Sequence, residues 1–169
     1  MIDETDRKIL SLLQGNARLS NAEIGEAVGM TASSVFERVK KLERKGVITG
    51  YVAIVDAEKL GKPLLAFIRV TTATNALRDF DATRDRVLKA CMAEPDILEC
   101  HSVAGEDSFI IKTRAGGPKQ LEKTLAKIRR LTQSAHSVTN IVLSTIKEST
   151  RIEPERESEI PEWNAPSSI

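Results

Sequence analysis

A short run of residues in the first third of the chain concentrates side chains that suit contact with nucleic acid. Between Ala32 and Lys45 five basic residues stand against two acids, on a chain whose net charge is only +1. Cations at this density can neutralise phosphates, and small hydroxyls ahead of them can approach base edges in a major groove. The alternative is a solvated helix held by pairs such as Glu37 with Lys41. We assign phosphate contact to Lys40, Lys41, Arg44 and Lys45, and base-edge contact to Ser33, Ser34, Glu37 and Arg38.

Composition limits the other ways in which the chain could bind nucleic acid. Hydrophobic residues make up 41% and charged residues 29%, as in ordinary globular proteins. Aromatic residues make up only 4%, which argues against stacking of bases on aromatic rings. Because the net charge is close to zero, binding has to rely on a local basic patch.

The residues that could hold a metal or carry out catalysis do not form a recognisable set. Cys100 and His101 are neighbours on a predicted strand, so they point to opposite faces, and Cys91 and His136 add no pair with metal-site spacing. The sequence has no phosphate-binding loop, dinucleotide fingerprint or serine elbow. We predict no metal, no cofactor and no catalytic residue. Two cysteines without a disulfide framework indicate reduced thiols and a cytoplasmic protein.

Two short helices and a tight turn are predicted to position the basic run. Ser20 with Glu23 forms a capping box for the first helix, and Gly29 can take the positive φ of the turn. Thr31 caps the second helix, and Gly46 ends it. The apolar stripe of the second helix is Val35, Val39 and Leu42. A preceding helix, Asp3 to Gln14, completes a three-helix unit.

The second half of the chain predicts an antiparallel sheet with helices on one face. The order of its elements is βαββαβ, and the uncovered face of such a sheet needs a partner, of which a second copy of the chain is the simplest. The strands are predicted at Leu64–Thr72, Ile97–Ala104, Ser108–Arg114 and Ser137–Lys147, and the helices at Leu77–Ala93 and Lys119–Arg130.

The remaining segments predict a connection and a tail. Residues 51–55 are rich in β-branched side chains and suit either a wing or an interdomain strand. Residues 149–169 are rich in glutamate and proline, and their one tryptophan, Trp163, either anchors the segment or lies in a flexible end. No apolar run approaches the ~20 residues of a membrane span. We therefore divide the chain into 1–50, 51–63, 64–148 and 149–169.

Four stretches of the chain resemble the Lrp/AsnC family of prokaryotic transcription regulators. They read DETDRKILSLLQGNAR, LSNAEIGEAVGMTASSVFERVKKLERKGVITGY, VAGEDSF and TNIVLSTIK, and they span roughly residues 2–150. The resemblance implies an α+β protein with an N-terminal winged helix-turn-helix domain that binds double-stranded DNA. It also implies a connecting strand and a C-terminal ferredoxin-like βαββαβ domain. In the family this domain forms dimers, which often assemble into tetramers or octamers, and it binds small effectors, commonly amino acids.

The effector residues that the resemblance implies depart from the family pattern. The family turn usually reads Gly-x-x-Asp, whereas Ser108 stands at the aspartate position here and Asp107 comes one place early. The Pro-Gly-Val turn that often precedes the last strand is absent, although hydroxyl residues remain. An ordinary polar hairpin explains the same residues. The candidate effector-binding residues are Gly105, Glu106, Asp107, Ser108, Ser137 and Thr139.

Two other classes of protein stay open at this stage. Decarboxylases of haem biosynthesis resemble this family in fold, but they need histidines around a large cavity, and this chain has two histidines. The other alternative is a ligand-binding or assembly protein that has lost DNA contact. The basic run favours a transcription regulator over both.

Overall fold

The structure is a computed structural model that describes residues 2–72, 77–132 and 134–154. Its elements confirm the predicted α+β fold with a βαββαβ second half. The N-terminal helices are α1 (Glu4–Gly15), α2 (Asn21–Val28) and α3 (Ala32–Arg44). The later elements are β1 (Leu64–Thr72), α4 (Leu77–Ala93), β2 (Ile97–Ser102), β3 (Phe109–Ala115), α5 (Pro118–Thr132) and β4 (Ser134–Ile141).

The three N-terminal helices meet at a small apolar core. Ile9 of α1, Ile24 of α2 and Val35 of α3 are almost completely buried against one another. Each helix begins at a capped residue, because Asp3, Ser20 and Thr31 lend side-chain oxygens to backbone N–H groups of the first turn. These caps set where each helix starts, and the core sets which faces pack together.

The four strands form one antiparallel sheet in the order β2-β3-β1-β4. Alternate residues of β3 are buried, so this strand has one face in the core and one face outside it. Val87 of α4 and Ile128 of α5 pack with Ile68, Val70 and Ile111 of the sheet. The two helices therefore cover one face of the sheet, as predicted.

The other face of the sheet, which we call the open face, combines apolar and charged side chains. Phe67, Arg69 and Ile110 belong to it, because their neighbours Ile68 and Ile111 point into the helix-covered core. Lys112 of the open face bonds Glu99 across the β2–β3 ladder. The open face thus carries a charged network beside exposed Phe67 and Val138.

The fourth strand ends at Ile141 and not at Lys147 as predicted. Its partner β1 begins at Leu64 directly after Pro63, and proline has no backbone N–H to offer a neighbouring strand. One further bond joins the Val142 amide to the Leu65 carbonyl, and the ladder stops there.

The predicted connecting strand is absent from the described part of the chain, where residues 45–63 contain no strand. Val52 and Ile54 are 83% and 84% exposed. A strand requires the backbone of a neighbour for its hydrogen bonds. The β-branched sequence alone does not supply one, and this is why the prediction from residue type fails.

The structure divides the chain differently from the boundaries set by sequence. The described residues form two compact units: residues 2–53 together with 147–154, and residues 54–72, 77–132 and 134–146. We call residues 147–154 the strap; the boundaries set by sequence placed its first two residues in the ligand-binding domain and the others in the acidic tail. The strap belongs to the N-terminal unit because Gln14 bonds both backbone groups of Ile152: its Nε2 donates to the carbonyl over 2.8 Å, and its Oε1 accepts from the amide over 2.7 Å. The rest of the predicted tail, with Trp163, lies outside the described residues.

The strap adds two further contacts to the N-terminal unit. Arg151 donates from Nη2 to the hydroxyl of Ser11 over 2.8 Å. Ile152 also lines a cavity of about 460 Å³ together with Leu10, Leu13 and other residues of the same unit. None of the described helices is long and apolar enough to cross a membrane.

Candidate nucleic-acid interface

The turn between α2 and α3 depends on two glycines. Gly29 ends α2 with φ +73°, a left-handed conformation that glycine adopts without strain. Gly25 is buried, and its carbonyl accepts from the Met30 amide over 2.8 Å. A Cβ at position 25 would lie 2.5 Å from the Met30 carbonyl oxygen. The chain can therefore return this close to α2 only because position 25 has no side chain.

The first turn of α3 presents a cluster of hydroxyls. The Thr31 Oγ1 accepts from the Ser34 amide over 3.2 Å, which caps the helix. The same oxygen lies 3.1 Å from the Ser33 hydroxyl and 2.9 Å from the Ser34 hydroxyl. All three side chains are exposed. Small, hydrated hydroxyls at the leading end of a helix are suited to close approach to base edges.

We call α3 the reading helix. The rest of its exposed surface is mainly basic. Val35 and Leu42 are buried on the opposite side of the helix, so the apolar stripe fixes which surface faces outward. Lys40 lies 3.4 Å from Glu43 and above the ring of Phe36. The exposed residues include seven of the eight assigned to DNA contact, namely Ser33, Ser34, Glu37, Lys40, Lys41, Arg44 and Lys45.

The C-terminal end of the reading helix is closed by a glycine motif. Gly46, with φ +68°, donates to the Glu43 carbonyl over 2.9 Å, and Val47 donates to the Leu42 carbonyl over 3.0 Å. These two bonds satisfy carbonyls that the helix leaves unpaired. The Tyr51 hydroxyl donates to the Glu43 carboxylate over 3.1 Å. That contact and partial burial raise the pKa of Tyr51, burial being the larger cause.

Arg38, the eighth assigned residue, is held by α1. Its Nη1 donates to Asp3 Oδ2 over 2.6 Å and to Asp6 Oδ1 over 2.7 Å. We call these three residues the clamp. The hydrogen bond from Arg38 lowers the pKa of Asp3, and the two carboxylates raise the pKa of Arg38. Its guanidinium therefore joins α1 to the reading helix, and we give it a positioning role in place of base-edge contact.

The predicted effector residues separate into two groups. Gly105, Glu106, Asp107 and Ser108 share one turn, where the Ser108 amide donates to the Val70 carbonyl over 2.8 Å. Ser137 and Thr139 of β4 pair with Val70 and Ile68, so their side chains lie on the helix-covered face. The Ser137 hydroxyl accepts from Arg129 Nε over 3.0 Å. The turn and the Ser137 backbone thus flank the same residue of β1, whereas the β4 hydroxyls point to the helix side.

Asp107 already has a partner that the sequence did not reveal. Arg69 of the open face donates from Nε to Asp107 Oδ2 over 2.6 Å, and the pKa of Arg69 is raised by that bond. The pair places a guanidinium beside a carboxylate at one end of the sheet. An α-amino acid carries the complementary pair of charges, an ammonium and a carboxylate.

Sequence reasoning missed Gly25, Arg69, Gln14 and the acids of the clamp. A glycine inside a helix costs about 1 kcal/mol relative to alanine, and this cost was a usable signal for a close approach at Gly25. Acidic residues in the first turn of a helix are favoured by the helix dipole, so Asp3 and Asp6 do not by themselves indicate a shared cation. Arg69 and Gln14 find partners 38 and 138 residues away, at separations where periodicity carries no signal.

The two cysteines belong neither to the residues assigned to DNA contact nor to those assigned to effector binding. Cys91 of α4 and Cys100 of β2 are free thiols that pack against the sheet core. The hydrogen bond between them, together with burial, raises the pKa of Cys91, whereas the same bond lowers the pKa of Cys100. Among the described residues no three His, Cys, Asp or Glu side chains gather as they would around a metal ion.

A capped helix-turn-helix with a basic reading helix, followed by a βαββαβ domain with a paired charge at its turn, defines a two-domain DNA-binding transcription regulator. Residues 2–49 match the family model for winged helix-turn-helix DNA-binding domains, and residues 65–152 match the model for the Lrp/AsnC ligand binding domain. The chain belongs to the Lrp/AsnC family of transcription regulators.

Known relatives cover almost the whole chain. The leucine-responsive regulatory protein of Klebsiella pneumoniae is 34% identical over 152 residues, which is 89% of this chain and 90% of the relative. A transcriptional regulator of Neisseria meningitidis, solved in complex with L-methionine, has a TM-score of 0.81 and 27% identity, with 90% of this chain and 96% of that chain covered. The feast or famine regulatory protein of Mycobacterium tuberculosis, also solved with L-methionine, has a TM-score of 0.77 and 28% identity, with 91% and 100% covered.

Membership of this family decides between the classes that the sequence left open. The relatives are transcription regulators, which confirms the prediction that the chain is not an enzyme. The predicted resemblance, the fold and the regulatory function are confirmed by the same matches. The assignment of individual site residues stays a prediction.

Proposed function

We propose that the reading helix enters the major groove of double-stranded DNA with Ser33, Ser34 and Glu37 near base edges. The observation that supports this most directly is the exposure of both its hydroxyl cluster and its basic residues on a helix fixed by the clamp. Phosphate contacts then position the helix and base contacts set the sequence preference. The proposed phosphate contacts are Lys40, Lys41, Arg44 and Lys45. Since its site of action is then the chromosome, we place the protein in the cytoplasm.

The reading helix is tested by a gel-shift titration against DNA from upstream of the protein's own gene. Lys40→Ala with Lys41→Ala removes two phosphate contacts, so the salt slope of log K should fall by about 1.8 per bound reading helix. Affinity should fall similarly on random DNA, because phosphates carry no sequence information. A matched control removes two exposed lysines elsewhere, Lys59→Ala with Lys147→Ala. Unchanged affinity in the Lys40, Lys41 variant would reject the assignment.

Glu37 gives a separate test of base-edge contact. Glu37→Gln replaces a pure acceptor with a side chain that both donates and accepts. If Glu37 faces a base edge, the difference in binding free energy between specific and random DNA should change by about 1–3 kcal/mol. An unchanged difference in a binding selection from random DNA would place Glu37 away from the bases.

For the second domain, we propose that the turn at Gly105–Ser108 binds an amino-acid effector. The Arg69–Asp107 pair supports this, because it offers one group for a ligand carboxylate and one for a ligand ammonium. Glu106 is exposed beside it as a second acceptor. Ser137 and Thr139 lie on the helix-covered face of the sheet, so a ligand that contacts them as well would have to reach around the β4 edge. Two structural neighbours were solved with L-methionine, which makes methionine the first effector to test.

The effector site is tested by calorimetric titration with the twenty amino acids, followed by DNA binding with each ligand that binds. Asp107→Asn should abolish ligand binding, since the amide cannot neutralise an ammonium. Glu106→Gln tests the neighbouring acceptor. Retained affinity in the Asp107→Asn variant would move the site away from the turn.

We further propose that the open face joins two copies of the chain into a dimer, which can assemble to a tetramer or octamer. Exposed Phe67 and Val138 beside the partly buried Ile110 support this. A dimer would present two reading helices to half-sites separated by about one helical turn or a multiple of it. Sedimentation should show that Ile110→Asp lowers the mass of the particle. An unchanged mass would exclude the open face as the contact between copies.

A further inference from the structure

A second basic helix lies in the ligand-binding domain, outside both sites proposed above. In α5 four cations recur at spacings of four, four and three residues: Lys119, Lys123, Lys127 and Arg130. At 3.6 residues per turn these positions share one side of the helix. We call them the basic stripe. The opposite side of α5 carries Leu121 and Ile128, both buried, which fixes the stripe outward.

The charge of α5 is one-sided. The helix holds five basic residues and one acid, Glu122, a difference of four charges. The reading helix together with Lys45 holds five basic residues and two acids. By contrast α4, its neighbour in the same layer, is mixed, with four basic residues and three acids. An ordinary solvated helix mixes both signs, so the bias of α5 indicates an anionic partner.

Most of the stripe is available for such a partner. All four side chains are exposed. Lys127 pairs with Glu94, whereas the side chains of Lys119, Lys123 and Arg130 have no hydrogen bond or ion pair with any other described residue. Like charges one turn apart repel each other, and a helix retains them at a cost unless something neutralises them.

The spacing of the stripe suits a nucleic-acid backbone. With a rise of about 1.5 Å per residue, its ends lie roughly 16 Å apart, and the charges recur about every 4.5–6 Å along the axis. One strand of DNA presents a phosphate about every 3.4 Å along the axis, so this length spans several phosphates. The stripe has long, flexible side chains and no aromatic residue between them, which suits phosphates better than bases.

We propose that the basic stripe of α5 is a second DNA-binding surface, which contacts the backbone of DNA that extends beyond the site read by α3. It binds without sequence preference and adds affinity only when the duplex is long enough to reach it. This inference rests on DNA binding by the reading helix, but it concerns a different surface and a different length of DNA.

The test compares two duplexes that carry the same binding site. A short duplex of about 15 base pairs holds one half-site, and a long duplex of about 60 base pairs spans several helical turns around it. Lys119→Gln with Lys123→Gln is measured on both by fluorescence anisotropy over a range of salt concentrations. Lys59→Gln with Lys147→Gln is the control, since it removes the same charge from exposed positions outside the stripe.

The expected result is a loss on the long duplex alone. Its affinity should fall on the order of tenfold near physiological salt, and its salt slope should fall by about 1.8, whereas the short duplex and the control stay unchanged. Affinity equal to that of the original protein on the long duplex overturns the proposal. A lowered particle mass in light scattering, with equal loss on both duplexes, also overturns it, because the stripe would then join copies of the chain.

The same titration separates this proposal from the one on which it rests. Lys40→Ala with Lys41→Ala should weaken binding to both duplexes. If that variant binds like the original protein while the stripe variant loses affinity on the long duplex, the reading-helix assignment fails and the stripe stands.

Discussion

Arg38 on the reading helix donates a 2.7 Å hydrogen bond to Asp6 on α1, and Asp6 is among the most buried charged residues of the described chain. The contact spans 32 residues of sequence. It links the reading helix to α1 through a guanidinium that two carboxylates already engage. Arg38 therefore stabilises the three-helix unit, although it belongs to the helix that we propose binds DNA.

Replacing Arg38 should destabilise the DNA-binding unit. Arg38→Met keeps the apolar stem but leaves the Asp6 carboxylate buried without its charged donor, at a cost of about 1–3 kcal/mol. Chemical denaturation followed by circular dichroism measures this change. Arg44→Met is the matched control: it should lower DNA affinity and leave the unfolding midpoint unchanged. Equal midpoints for the two variants would contradict the clamp.

The clamp also predicts a dependence of stability on acid. The pKa of Asp3 is lowered from its ordinary value of 3.8, mainly by the hydrogen bond from Arg38. The folded state therefore binds this proton less readily than the unfolded state, so the contribution is complete above pH 3.8 and disappears as pH falls through the folded pKa.

Asp3→Asn isolates that contribution, because asparagine still caps α1. The difference in unfolding free energy between the original protein and the variant should be largest near neutral pH and should shrink below about pH 4. Urea titrations between pH 3 and pH 7 measure it. A difference that stays constant with pH would show that the charge of Asp3 does not stabilise the folded state.

Position 25 should not tolerate even one added methyl group. Gly25→Ala places a Cβ 2.5 Å from the Met30 carbonyl oxygen, and opening the turn to relieve the contact should cost about 1–3 kcal/mol. Gly15→Ala is the control, because nothing lies within 4 Å of its added Cβ. Thermal unfolding should therefore give a lower melting temperature for Gly25→Ala than for Gly15→Ala. Similar melting temperatures for the two variants would mean that the turn is looser than the structure shows.

Loss of the Gln14 contact should release the strap. Gln14→Ala removes both bonds to the Ile152 backbone, and exposed bonds of this kind contribute about 1 kcal/mol each. Trypsin should then cut after Arg151 several-fold faster, as followed by mass spectrometry. Cleavage after Lys59, which is exposed in the second unit, supplies an internal reference. An unchanged ratio of the two rates would show that Gln14 does not hold the strap.

The parts of this protein that sequence predicts are those with local causes. Capping of α2 by Ser20 and Glu23, the positive φ of Gly29 and the apolar stripe from Val35 to Leu42 all act within one or two turns of helix, and all were predicted. The order of strands and helices along the chain, βαββαβ, was also predicted, because the alternation of apolar residues that marks each strand is a short-range pattern.

The parts that sequence reasoning misses are set by distant pairs. Nothing local to Arg38 distinguishes a residue that binds phosphate from one that binds Asp3 and Asp6. The β-branched residues at 51–55 suggest a strand, but whether one forms depends on a neighbouring backbone that the residues themselves cannot specify. The partners of Asp107 and Ile152 are decided by the folded topology in the same way.

The bonds between Gln14 and Ile152 determine when, during synthesis of the chain, the DNA-binding unit can be completed. The DNA-binding unit takes its helices from the beginning of the chain and its strap from beyond Ile146, so the whole ligand-binding domain is inserted between them. Helices α1 to α3 leave the ribosome first, but they receive the strap only after more than ninety further residues have been synthesised. A nascent or prematurely terminated chain therefore displays a reading helix on an incomplete support, and the finished form of the DNA-binding unit exists only in a completed regulator.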